Sequence, residues 1–194
     1  MLGNYERQKA NKALKQILRE YQSSYNVKVK NSRNEYLQSM KPGQQIPSSI
    51  PLSSQDRARF EEDIDRYKAK VSDIMKPLHD ELESYITKAP STEATNTIMM
   101  LSLRSNVSET DISSLMSKYG ENVQAYKAIR DIAIKHDIRG FNEHEAEVEL
   151  ANIDDLSKSI MKTMSTGSAE RGHASDGYIS IMEVAIDSTL PCEN

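Results

Sequence analysis

The sequence predicts an all-α protein, with a basic N-terminal helical arm and an acidic bundle of five or six helices. Three observations carry that expectation. Apolar residues recur three and four positions apart, most clearly between residues 60 and 85. Proline and glycine fall between these runs, with Pro77 the main exception. Finally, residues 178–186 alone have the β-branched content of a strand. A strand without a partner leaves its backbone unsatisfied, so this segment too is assigned to a helix.

Residues 1–40 form the arm. Leu14, Leu18, Tyr21 and Tyr25 recur at helical spacing, and Lys12, Lys15 and Arg19 fall on the opposite side. At Val27-Lys28-Val29-Lys30 the pattern alternates briefly, which leaves helix continuity open. If the helix continues, Val29, Tyr36 and Met40 extend the apolar side, and Lys30 and Arg33 the basic one. Residues 41–54 read as a Pro/Ser-rich linker. Pro42, Gly43, Pro47 and Pro51 deny it helix or central strand. Prolines favour a stiff, extended spacer, so the arm is expected to be held away from the body.

Residues 55–190 make up the helical bundle. Phe60, Ile64, Tyr67, Val71, Ile74, Leu78, Leu82 and Tyr85 form a near-heptad packing stripe. Ser53 or Ser54 supplies its starting cap, and Pro90 closes it. Pro77 lacks an N–H and its ring opposes the carbonyl of Asp73, which predicts one bent helix or two shorter ones. Ser91-Thr92-Glu93 opens a helix carrying Ile98 and Leu101 that stops near Ser105. Ser108 caps the next, with acids in its first turn and Val107 and Ile112 as a staple pair, and Gly120 ends it. Residues 122–138 carry Val123, Tyr126, Ile129 and Ala133. Asn142 and Glu145 then read as a capping box launching a helix with Ala146, Leu150, Ile153, Leu156, Ile160 and Met164 on one side. Residues 166–177 are small, polar and glycine-rich, as in a surface loop.

Composition narrows the function classes. Hydrophobic residues make up 37% of 194, with nine Tyr, two Phe and no Trp. An ordinary globular domain reaches roughly 45–50% apolar residues, so the shortfall points to an extended shape or to surface buried against a partner. No apolar run approaches the ~20 residues of a membrane-spanning helix. The first residues turn polar at once, unlike a signal peptide. Cys192, the single cysteine, permits neither an intrachain disulfide nor a cysteine zinc cluster, so a cytoplasmic (or, if viral, virion) location is expected. The net charge of −4 conceals an asymmetry: residues 1–41 carry +6 and the rest −10.

Reactive constellations are hard to find. His79, His136, His144 and His173 are scattered, and Val148 stands where a metalloprotease helix needs its second histidine after His144-Glu145. No metal or cofactor is expected. Glu143, Glu145, Glu147 and Glu149 lie two apart and scatter around a helix, where the N-terminal dipole favours them without any ion. His144 reads as a solvated helix-start residue. No phosphate loop, Gly-x-Ser-x-Gly or Cys/His pairing is present, so an enzyme is not expected. Residues 111–134 make a poor helix-turn-helix, because Met116 and Glu121 misfit and only Lys127 and Arg130 offer positive charge. Met99, Met100, Met116, Met161 and Met164 either fill an irregular core or line an adaptable groove.

The basic face of Lys12, Lys15, Arg19, Lys30 and Arg33 is the best candidate docking element, suited to an acidic protein surface, another copy of the chain included. In overall texture (a helix, a Pro/Ser linker, Met- and Tyr-containing helices, no Trp) the chain resembles small phage-encoded head-assembly and accessory structural proteins. That resemblance implies capsid-protein partners and self-association. A non-enzymatic assembly or interaction protein is therefore expected. The alternatives are a nucleic-acid-binding regulator using the basic arm, and an inhibitor or adaptor of one host protein.

Overall fold

The computed structural model describes residues 3–47, 53–166 and 176–191. Among them there are seven helices and no strand: α1 (Asn4–Ser39), α2 (Ser54–Ile86), α3 (Thr92–Ser102), α4 (Glu109–Tyr119), α5 (Val123–Lys135), α6 (Glu145–Thr166) and α7 (Asp176–Thr189). The all-α expectation holds, and residues 178–186 are helical. Cys192, the linker residues 48–52 and most of the glycine-rich loop (167–175) lie outside the described residues.

Two compact units divide the chain. One takes in Gly3–Leu78 together with the residues from Ile153 onward, and the other His79–Asn152. Helices α2 and α6 contribute residues to both.

In the first unit α1 runs unbroken through Val27-Lys28-Val29-Lys30 and is not held away as a separate arm. Its buried residues Leu14, Ile17, Leu18 and Tyr21 share a core with Phe60, Ile64, Tyr67 and Val71 of α2. The ring of Tyr21 lies 5.6 Å from that of Phe60 and meets Tyr67 edge-on at 5.9 Å. Contacts that ascend α1 descend α2: Glu20 with Lys70, Lys28 with Asp63, Ser32 with Asp56. The two helices thus form an antiparallel hairpin whose bend lies between Ser39 and Ser54. A turn at Pro42 and Gly43, the latter at φ +87°, begins that bend. At its far side Ser53 caps α2 by accepting from the Asp56 N–H, and its own N–H donates to Ser32 Oγ at 3.0 Å. α7 lies antiparallel along α1 in the same unit, burying Ile179, Ile186 and Leu190.

Charge and proline misled the sequence reading here for a physical reason. The basic and apolar residues of one helix occupy different faces, so a strongly charged helix can still bury a stripe. α2 likewise runs continuously through Pro77 and is not two helices.

The second unit is built on α3, α4 and α5. Ile98, Leu101, Ile112, Ala125, Ile129, Ile132 and Ala133 form its core, and Val107, Met116 and Phe141 pack against them. Side chains close the helix starts. Ser91 accepts from the Ala94 N–H, Asn122 from that of Ala125, and Ser108 forms a reciprocal capping box with Asp111. The expected box of Asn142 with Glu145 does not form; His144 Nδ1 accepts the Ala146 N–H at 3.1 Å instead. At the end of α5, Asp137 takes φ +56° and lets the Ile138 N–H reach the Ala133 carbonyl at 2.9 Å, a helix stop usually left to glycine.

Candidate functional site

The five cations of the expected docking face are not equivalent. Lys15 Nζ reaches Asp187 Oδ1 at 2.5 Å, and Arg19 Nε reaches Glu183 Oε1 at 2.8 Å, both on α7. Those two serve the packing of α7 on α1. Lys12, Lys30 and Arg33 are exposed and have no ion pair among the described residues. Helix periodicity places all five on the outside of α1 but cannot show that a distant C-terminal helix brings two carboxylates alongside.

The polar partners of α1 shift the carboxylates they hold. Asn11 and Lys15 both donate to Asp187, and these hydrogen bonds, that of Asn11 foremost, hold its carboxyl below the usual carboxylate range. Asn11 also donates to the Leu190 carbonyl at 2.7 Å, so one buried amide ties α1 to the end of α7. Burial pushes Asp63 up. Hydrogen bonds from Lys28 at 2.6 Å and Ser24 at 2.8 Å, with the charges of Lys28 and Arg66, outweigh it, and the net direction is down.

The packing stripe on α2 is nearly as expected. Phe60, Ile64, Tyr67, Val71, Leu78 and Leu82 are buried. Ile74 and Tyr85 are not at the bottom of the stripe; Met75 and Ile86 take those places. Tyr85 is half-buried and donates its hydroxyl to the Glu121 carbonyl at 2.8 Å.

The methionines divide by environment. Met164 is buried in the first unit and Met116 packs against the core of the second. Met99 and Met100, on the face of α3 opposite the buried Ile98 and Leu101, are 60% and 66% exposed, and Leu103 beside them is 73% exposed. A second apolar face stands on α7. Ile181 and Val184, one turn apart, are 60% and 65% exposed, while Ile179 and Ile186 of the same helix are buried. The sequence marks residues 178–186 as a helix without marking an apolar face. α7 has two, and its run of Ile, Met, Val and Ala hides which residues point inward.

The poor helix-turn-helix candidate loses its charge as well. Lys127 pairs with Glu147 at 2.5 Å and Arg130 donates to the Asn142 carbonyl at 3.3 Å. Among the described residues a single trio brings potential metal-ligand atoms within 4.8 Å of one another, His79, Asp80 and Glu83, all on the surface of α2. No described helix is long and apolar enough to cross a membrane. No family model, curated protein or solved structure matches this chain.

Proposed function

We propose that the protein is a non-enzymatic helical interaction protein, a structural or scaffolding-like component of phage type, that binds a protein partner and self-associates in the cytoplasm of its host. One observation carries this reading: Met99 and Met100 on α3 with Leu103 just past its end, and Ile181 and Val184 on α7, stand outward on helices whose inner faces are already filled. Large apolar side chains grouped on one exposed helix face mark interaction surfaces, and methionine adapts to partners of varied shape. The nucleic-acid reading is weaker, because two of its five cations are engaged by α7 and phosphate binding scales with the number of cations available.

Sedimentation at micromolar concentration tests the proposal. The native chain is expected to form a dimer or larger species, and Met100→Lys with Ile181→Lys to sediment as a monomer of unchanged helicity. A native chain that stays strictly monomeric removes self-association. A salt series separates the rival, since binding through apolar faces persists where phosphate contacts are screened.

A further inference from the structure

The second unit contains a cleft of about 550 Å³ that none of the foregoing uses. Its walls include the rings of Tyr85, Tyr126 and His144 and the carboxylates of Glu121, Glu143 and Glu145. The rings are fixed. Tyr85 donates to the Glu121 carbonyl at 2.8 Å and Tyr126 to that of Asn142 at 3.0 Å. Tyr126 meets His144 edge-on with centroids 5.1 Å apart. The three glutamates are exposed, and among the described residues their side chains make no ion pair or hydrogen bond. No lysine or arginine lines the cleft.

His144 supplies the second, independent observation. The residue is only 9% exposed, and Nδ1 is committed as acceptor of the Ala146 N–H. An imidazole that accepts at Nδ1 carries its proton on Nε2. That Nε2–H makes no hydrogen bond among the described residues. His136 Nε2 is sealed and unpaired, whereas His144 Nε2 is not among the sealed atoms, and His144 lines the cleft. A donor held by a buried ring beside unpaired carboxylates asks for a ligand with an acceptor and a cation close together. The carboxylates do not converge with the imidazole tightly enough to enclose a bare metal ion, which selects an extended organic group.

We propose that this cleft takes a lysine- or arginine-type side chain of a protein segment, the cation against Glu121, Glu143 and Glu145 and the aromatic rings, and that segment's backbone carbonyl on His144 Nε2–H. Ammonium and guanidinium groups are attracted both to carboxylates and to tyrosine faces, and a peptide carries its carbonyl within a few bonds of the cation. The inference is independent of self-association through α3 and α7.

Calorimetric titration of the full chain with an acetyl- and amide-capped tetralysine peptide tests it, with spermidine as the cation that lacks a carbonyl. The peptide is expected to bind more tightly than spermidine. Replacing Glu121, Glu143 and Glu145 by Gln should weaken peptide binding about tenfold or more. The same charge removed elsewhere, at Glu61, Glu62 and Glu81, should leave it nearly unchanged. His144→Asn keeps a capping side chain for α6 and removes the Nε2–H, so it should weaken the peptide and not spermidine. Absence of binding, equal losses in the two triple variants, or spermidine binding as tightly as peptide and indifferent to His144 would each overturn the proposal. Circular dichroism of every variant guards against loss of fold.

Discussion

Tyr21 concentrates at one position what holds the first unit together. Its ring is fully buried between Phe60 and Tyr67, and its hydroxyl donates to the Met164 carbonyl at 3.4 Å. Burial, with the neighbouring Tyr25 adding to it, pushes its pKa from 10.0 up to about 12. The folded state therefore keeps a proton that the unfolded chain releases first. The stability this confers is whole below the unfolded value of 10.0 and is lost as pH rises towards 12. Denaturant unfolding followed across that window should show a decline that Tyr21→Phe reduces. Phenylalanine keeps the ring contacts and has no proton to lose, so a variant declining as steeply as the native chain would place the alkaline sensitivity elsewhere. His144 is the opposite lesson at this scale. A histidine between two glutamates at a helix start reads as solvated, and nothing nearby in sequence signals burial. Tyr85 and Tyr126, the rings beside it, lie 59 and 18 residues away.

At the scale of one helix, α2 was the most legible part of the chain, and its two errors share a cause. The stripe was laid out close to a 3.5-residue period, whereas an α-helix turns once in 3.6 residues and drifts ~20° per heptad against such a pattern. Phe60, Ile64, Tyr67 and Val71 agree with the structure. Two heptads along, the drift is about 40°, which favours Met75 over its neighbour Ile74; near the end Ile86 replaces Tyr85. The buried series covers 26 residues in seven steps, about 3.7 residues per step, longer than the 3.5 of a left-handed supercoil. Of the two outcomes open at Pro77, the single helix is the one found. Pro77 faces solvent beside a crevice of about 210 Å³ lined by Ala10, Ala13, Ile74 and Leu78, and packing on both sides of it maintains the helix that its missing N–H weakens. Pro77→Ala restores that donor to the Asp73 carbonyl. An increase in unfolding free energy of about 1–3 kcal/mol is expected from denaturant titration, since proline in a helix interior costs roughly 3 kcal/mol relative to alanine.

Across the whole molecule, the largest difference between sequence and structure is the place of residues 1–41. Their charge of +6 and the proline-rich stretch after them describe an arm that the rest could lose. In the structure, Leu14, Ile17, Leu18 and Tyr21 are core residues of the first unit, and Ser32, Lys28 and Asn11 hydrogen-bond to α2 and α7. Charge reports the solvated face of a helix; its buried face depends on partners far along the chain, here α2 and α7. Burial of one such side chain contributes roughly 1.5–3 kcal/mol, so these four together rival the roughly 5–15 kcal/mol that holds an ordinary domain folded. A chain lacking residues 3–41 is therefore expected to lose the first unit altogether. Hydrogen exchange measured segment by segment should show residues 54–78 and 153–166 unprotected in the truncated chain. Residues 92–135, whose core of Ile98, Ile112 and Ile129 uses nothing from α1, should keep slow exchange. If 54–78 and 153–166 remained as protected as in the full chain, α1 would be the dispensable arm that its charge suggests, and all five of its cations would again be available to a partner.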